Sequence, residues 1–115
     1  MHIETAVNEG KVTLRLNGEF DLMAAEKFII ESERLLIKYN PKLLVIDLEA
    51  VPFIDSSGLG AILGRYKKIT EKGGKIILTS VKAPVNRILK LSGFHKIMDV
   101  YSEEYDDSER TGLGV

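Results

Sequence analysis

The chain contains no cysteine. That excludes disulfides, thiolate metal sites and a cysteine nucleophile, and it is compatible with a reducing cytoplasm. Histidine is scarce: His2 is terminal, and His95 lies in Gly93-Phe94-His95-Lys96, just past a predicted helix end. Each reads as a solvent-facing residue. Two histidines so far apart give little support to a metal site, so none is expected. They also leave a serine hydrolase without an evident base, and the residues around Ser56 lack the G-x-S-x-G elbow. No apolar stretch approaches the roughly 20 residues needed to span a bilayer. Met1-His2-Ile3-Glu4 lacks a basic region followed by an apolar core, so a signal peptide is not expected. Neither charge sign is in excess: 16 basic against 17 acidic side chains give a formal net charge of −1. Nucleic acid and membrane are therefore not expected as main partners. A G-x-x-x-x-G-K-[ST] phosphate loop is missing, as are repeats, linkers and low-complexity segments.

What is present is an ordinary globular composition, 44% hydrophobic and 29% charged over 115 residues, enough for one compact domain spanning residues 1–115. Ile3, Thr5 and Val7, then Val12, Leu14 and Leu16, alternate with polar neighbours around Asn8-Glu9-Gly10, which predicts a β-hairpin. Asp21 reads as the N-cap or a first-turn acid of a long helix carrying Leu22, Ala25, Phe28, Leu35 and Leu36, stopped by Asn40-Pro41. Leu43–Leu48 is a buried strand. Leu59, Ile62, Leu63, Tyr66 and Ile69 mark a second helix that Gly73-Gly74 ends. Lys75–Thr79 is another central strand, Ala83-Pro84 opens a short helix with Val85, Ile88 and Leu89 on one face, and Ile97–Tyr101 is a short edge strand. A further short helix around Glu103–Ser108 is possible in the acidic tail. The order β-β-α-β-α-β-α-β predicts a single α/β domain: a mixed, mainly parallel sheet with an N-terminal hairpin, right-handed crossovers and helices packed against it.

Between the second helix and the strand before it lies Asp55-Ser56-Ser57-Gly58-Leu59-Gly60. Serine at a helix entrance can cap free N–H groups, and a phosphate attached there would be accommodated by the same groups and the helix dipole. Gly58, Gly60 and Gly64 follow a strand, but the G-x-G-x-x-x-G spacing and the missing acid after Leu78-Thr79-Ser80 argue against a dinucleotide site. Gly60 and Gly64 instead share a helical face and predict close backbone packing. Glu103-Glu104 and Asp106-Asp107 read as a solvated face rather than an acid–base pair. Asp21 and Asp55 both precede helices at the strand-to-helix edge, and spacing leaves open whether either does more than cap.

Val51-Pro52-Phe53-Ile54-Asp55-Ser56-Ser57-Gly58-Leu59-Gly60-Ala61-Ile62-Leu63-Gly64-Arg65-Tyr66-Lys67 resembles the signature of bacterial anti-sigma factor antagonists, the single-domain members of the STAS family. Gly18-Glu19-Phe20-Asp21 resembles their other recurrent segment, and Val85–Gly93 resembles their third helix with its glycine end. The ordered set covers roughly residues 3–101; from Ser102 the tail departs from the family's more apolar final helix. The resemblance implies that Ser56 is the phosphoacceptor, that Ser57 holds the second serine position, and that Asp21 lies on the partner surface. The partner-binding residues it implies are Asp21, Asp55, Ser56, Ser57 and Gly58.

The implied partners are an anti-sigma factor that is also an ATP-dependent serine kinase, and a phosphoserine phosphatase. The unphosphorylated chain would bind the kinase and free a sigma factor in the cytoplasm; the phosphorylated chain would let go. It would then be a kinase substrate with no catalysis and no cofactor of its own, ATP being used by the kinase. A phosphate adds about −1.5 to −2 charges. At a helix N-terminus that charge is stabilised by about 0.3–2 kcal/mol, whereas burying it against a partner costs several kcal/mol. Release from an intact fold is the expected mechanism. The alternatives are a STAS scaffold subunit of another signalling or transporter complex, and a small nucleotide-binding or hydrolytic protein built on the glycine turn.

Overall fold

The computed structural model describes residues 1–102. Along the chain run β1 (His2–Asn8), β2 (Lys11–Asn17), α1 (Leu22–Tyr39), β3 (Leu43–Ala50), α2 (Ser56–Glu71), β4 (Lys75–Val81), α3 (Ala83–Leu91), a 3-10 turn (Phe94–Lys96) and β5 (Asp99–Ser102). The strands form one sheet in the order β1-β2-β3-β4-β5. β1 and β2 are antiparallel, while β2–β3, β3–β4 and β4–β5 are parallel. This is the α/β arrangement expected from the element order. The suggested helix around Glu103–Ser108 and the acid cluster of the tail lie outside the described residues.

Period-2 alternation builds the core. Val12 and Leu14 pair with Leu44 and Ile46, which pair in turn with Ile76 and Leu78, so apolar rows from three strands share one face. All are buried. α1 lays Ala25, Phe28, Leu35 and Leu36 on this face, α2 adds Ala61, Ile62 and Ile69, and α3 adds Val85 and Leu89. The opposite face is only half covered and carries Arg15, whose Nε donates to Asp47 at 3.1 Å, with Glu4 3.7 Å away.

Turn chemistry accounts for the joints. Glu9 (φ 22°) and Gly10 (φ 78°) are both left-handed, the requirement of a type I′ hairpin loop. Asn40 (φ 43°) closes α1. At the end of α2, Gly73 N donates to Thr70 O at 3.0 Å and Gly74 N to Ile69 O at 2.8 Å, the paired bonds of a Schellman ending.

Four details differ from the periodicity reading. Leu22 is 62% exposed, while Ala24 and Ala25 in the same first turn of α1 are buried. Leu63 is 38% exposed, and its place beneath α1 is taken by Arg65, buried through an ion pair with Glu33. A long cationic chain lies on the inner face when an acid on the neighbouring helix receives it, which no single-helix pattern reveals. Gly60 and Gly64 permit no close approach, since a Cβ on either would meet nothing within 4 Å. His95 does not simply face solvent: its Nε2 is 2.9 Å from Asn86 Oδ1, and its buried Nδ1 has no partner among the described residues. Burial, and then Lys90, lower its pKa.

Candidate functional site

In a sheet of this order, α1, α2 and α3 all start at the edge where the parallel strands end. Two of the connections there are bonded to each other. Gly18 N donates to Ala50 O at 3.0 Å, Phe20 N to Phe53 O at 2.8 Å, and Asp55 N to Phe20 O at 3.3 Å. Phe20 and Ile54 form an isolated parallel bridge. The sheet is thus extended by one step beyond β2 and β3, and the two helix entrances are held side by side. Phe20 and Ile54 point inward, 0% and 1% exposed, with Phe20 packed edge-on against Phe28 at 5.3 Å between ring centroids.

Each entrance is capped by aspartate. Asp21 accepts from Ala24 N at 3.0 Å. The Asp55 carboxylate accepts from both Ser57 N (2.9 Å) and Gly58 N (3.1 Å). These bonds supply orphan donors of the first helical turn, and an ionised oxygen suits the positive end of the dipole. Ser56 is the first residue of α2 and not its cap, which corrects the idea that its hydroxyl closes the helix. Ser56 is exposed and Ser57 half-buried. The side-chain cap of α2 is carried by Asp55 and not by this exposed hydroxyl.

Gly58 lies beneath this surface. A Cβ there would stand 2.7 Å from Phe20 O, 2.8 Å from Ile54 Cγ1 and 2.9 Å from Phe20 Cγ. Only glycine lets the first turn of α2 press on the β2–α1 connection, so this residue sets how closely Asp21 and Ser56 approach. Sequence spacing pointed to Gly60 and Gly64 for that role; position 58 becomes legible only when the partner loop is known.

The structure therefore brings Asp21, Asp55, Ser56, Ser57 and Gly58 together at two joined helix entrances. Residues not assigned to the site from the sequence join them: Leu22, Met23 and Phe53 are 62%, 79% and 46% exposed around the same edge. An open depression of about 420 Å³ lies beside Asp21, bounded by Met1, Glu19, Met23, Ala24 and Lys27. A smaller hollow of about 220 Å³ sits at the opposite ends of α1 and α2, between Ile37, Asn40, Lys68 and Lys72. Among the described residues no three His, Cys, Asp or Glu side chains converge as metal ligands, and no helix is long and apolar enough to cross a membrane.

Comparison with known proteins agrees with this geometry. The family model of the STAS domain matches residues 2–106. An anti-sigma F factor antagonist of Paenibacillus polymyxa is 38% identical over 104 residues, 90% of this chain and 89% of that protein. Among solved structures, an anti-sigma factor antagonist from Mycobacterium paratuberculosis superposes with a TM-score of 0.78 at 25% identity, covering 96% of this chain and 92% of that one. The Bacillus cell fate determinant SpoIIAA in its phosphorylated form gives a TM-score of 0.70 at 25% identity, covering 94% and 98%.

Proposed function

The chain belongs to the STAS domain family, and from that premise we propose that it is an anti-sigma factor antagonist switched by phosphorylation of Ser56. In its unphosphorylated form it binds an anti-sigma factor and frees the sigma factor. That anti-sigma factor is an ATP-dependent serine kinase, a phosphoserine phosphatase reverses its action, and the circuit operates in the cytoplasm. This chain acts as substrate and binding surface, with ATP held by the kinase.

The observation that carries the reading is the division of labour at α2. Asp55 satisfies two N–H groups of the first turn and leaves Ser56 exposed on the next residue, beside the second capped entrance at Asp21. Phosphorylation there adds charge at a helix N-terminus, where it is tolerated by the fold. The same charge is unfavourable wherever a partner has replaced water over the serine. Each 1.4 kcal/mol of that penalty weakens binding about tenfold.

Incubation with ATP and the anti-sigma factor encoded in the same organism, followed by peptide mass spectrometry, tests the assignment. Phosphate is expected on Ser56. Phosphate on Ser57 with Ser56 unmodified refutes the acceptor, and no phosphate on either removes the kinase circuit.

A further inference from the structure

We propose that Leu22, Met23 and Phe53 form an apolar collar around Asp21 and Ser56, and that this collar docks an apolar patch on the kinase-type anti-sigma factor. The inference rests on the function proposed above. It concerns which side chains hold the partner and why a phosphate among them is costly.

The three residues are large, apolar and 62%, 79% and 46% exposed; Leu22 and Met23 open α1 and Phe53 precedes α2, at the two helix entrances that the Phe20–Phe53 hydrogen bond ties together. Nothing in the fold calls for them. The first turn of a helix favours acidic side chains, yet α1 has none there and opens with Leu22 and Met23. Phe53 is exposed between exposed Pro52 and buried Ile54, in a loop where polar residues are the norm. The backbone beneath the collar is already fixed, by the Phe20–Phe53 bond of 2.8 Å on one side and the Asp21 cap of 3.0 Å on the other. Little ordering is left to oppose association. Met23 also walls the depression beside Asp21, giving a partner side chain a place to enter.

Asp21 and Asp55 each use Oδ1 on the helix N–H groups. Among the described residues the other oxygen of each has no hydrogen-bond partner, which leaves it for a donor on the anti-sigma factor. The complementary surface is therefore apolar with embedded N–H or cationic donors. Such a ring excludes water from whatever it encircles. A neutral hydroxyl tolerates that position, and a phosphate does not. The collar thus accounts for affinity and for discrimination together.

The test uses the full chain and the purified anti-sigma factor that phosphorylates it. Met23→Ser and Phe53→Ser are compared with Leu91→Ser, a control that removes an 83% exposed leucine at the far end of α3. Thermal melts are expected to match wild type in all three. Binding should weaken about tenfold or more for Met23→Ser and Phe53→Ser and stay unchanged for Leu91→Ser. The affinity ratio between Ser56 and Ser56→Asp chains should also shrink when Phe53→Ser is added, because the charge is then less enclosed. If wild type binds and the collar variants bind equally well, or if Leu91→Ser weakens binding as much, the collar is refuted while the function stands. If wild type itself does not bind, the function is refuted and the collar with it.

Discussion

Replacing Gly58 with alanine tests the architecture beneath the site, because its outcome should oppose that of the same change two residues later. A Cβ at Gly58 meets the Phe20 carbonyl oxygen at 2.7 Å, with Ile54 Cγ1 and Phe20 Cγ at 2.8 and 2.9 Å. The carbonyl cannot turn aside, since it accepts the Asp55 N–H at 3.3 Å. Overpacking of this kind costs about 1–3 kcal/mol, offset by up to about 1 kcal/mol of helix propensity. Because all three contacts fall below 3.0 Å, the cost lies toward the upper end of that range and the expected net loss is about 1–2 kcal/mol. Gly60→Ala and Gly64→Ala meet nothing within 4 Å and should gain up to about 1 kcal/mol each from propensity alone. Denaturant titration of the three variants reads the contrast. Gly58→Ala should also weaken partner binding, since α2 must move away from the Phe20 loop and carry Ser56 from Asp21. A Gly58→Ala chain as stable as wild type, or a loss of stability in Gly60→Ala, refutes the packing argument.

Arg65 is 7% exposed, paired with Glu33, and its Nε has no partner among the described residues. Glu33→Gln should therefore destabilise by about 1–3 kcal/mol, because it leaves the buried Arg65 charge without its acid, whereas Arg65→Met should be close to neutral, because Glu33 is 37% exposed and keeps Lys68 at 3.4 Å; urea unfolding of both variants checks this. His95 has its pKa lowered by burial and then by Lys90, so the unfolded chain binds the extra proton first and stability should fall as pH drops through the unfolded value of about 6.5. Denaturation at pH 7.5 and 5.5 should show that loss in wild type and less of it in His95→Gln. Asp21→Ala should cost about 0.5–2 kcal/mol for the lost cap and weaken binding to the anti-sigma factor; normal binding with a much larger stability loss makes Asp21 purely structural.

The fold was readable because its signals are local and agree with one another. Alternation in Val12–Leu16, the apolar run from Leu43, Asn40-Pro41 and Gly73-Gly74 each mark an element or its end without reference to the rest of the chain. Asp21 and Asp55 were legible as helix entrances for the same reason. Their adjacency was not, because it depends on a bridge between Phe20 and Ile54 across 34 positions of sequence. The packing role of Gly58 and the settings of Arg65 and His95 were misjudged or passed over on the same ground: each is defined by a contact from another element, Phe20, Glu33 and Asn86 respectively. The exposed Leu22, Met23 and Phe53 were not assigned to the site because apolar residues near element ends read as core by default.

The central claim is that charge on Ser56 releases the partner without disturbing the fold, and side-by-side binding titrations and melts of Ser56→Asp and Ser56→Ala test it most directly. Because Asp55 holds the cap, Ser56→Ala should melt close to wild type, losing less than the roughly 1 kcal/mol of a removed cap. It should bind the anti-sigma factor while resisting phosphorylation. Ser56→Asp should melt as wild type does, its carboxylate lying at the positive end of α2, and should bind at least about tenfold more weakly. Unfolding of Ser56→Asp, or binding as tight as wild type, contradicts the account.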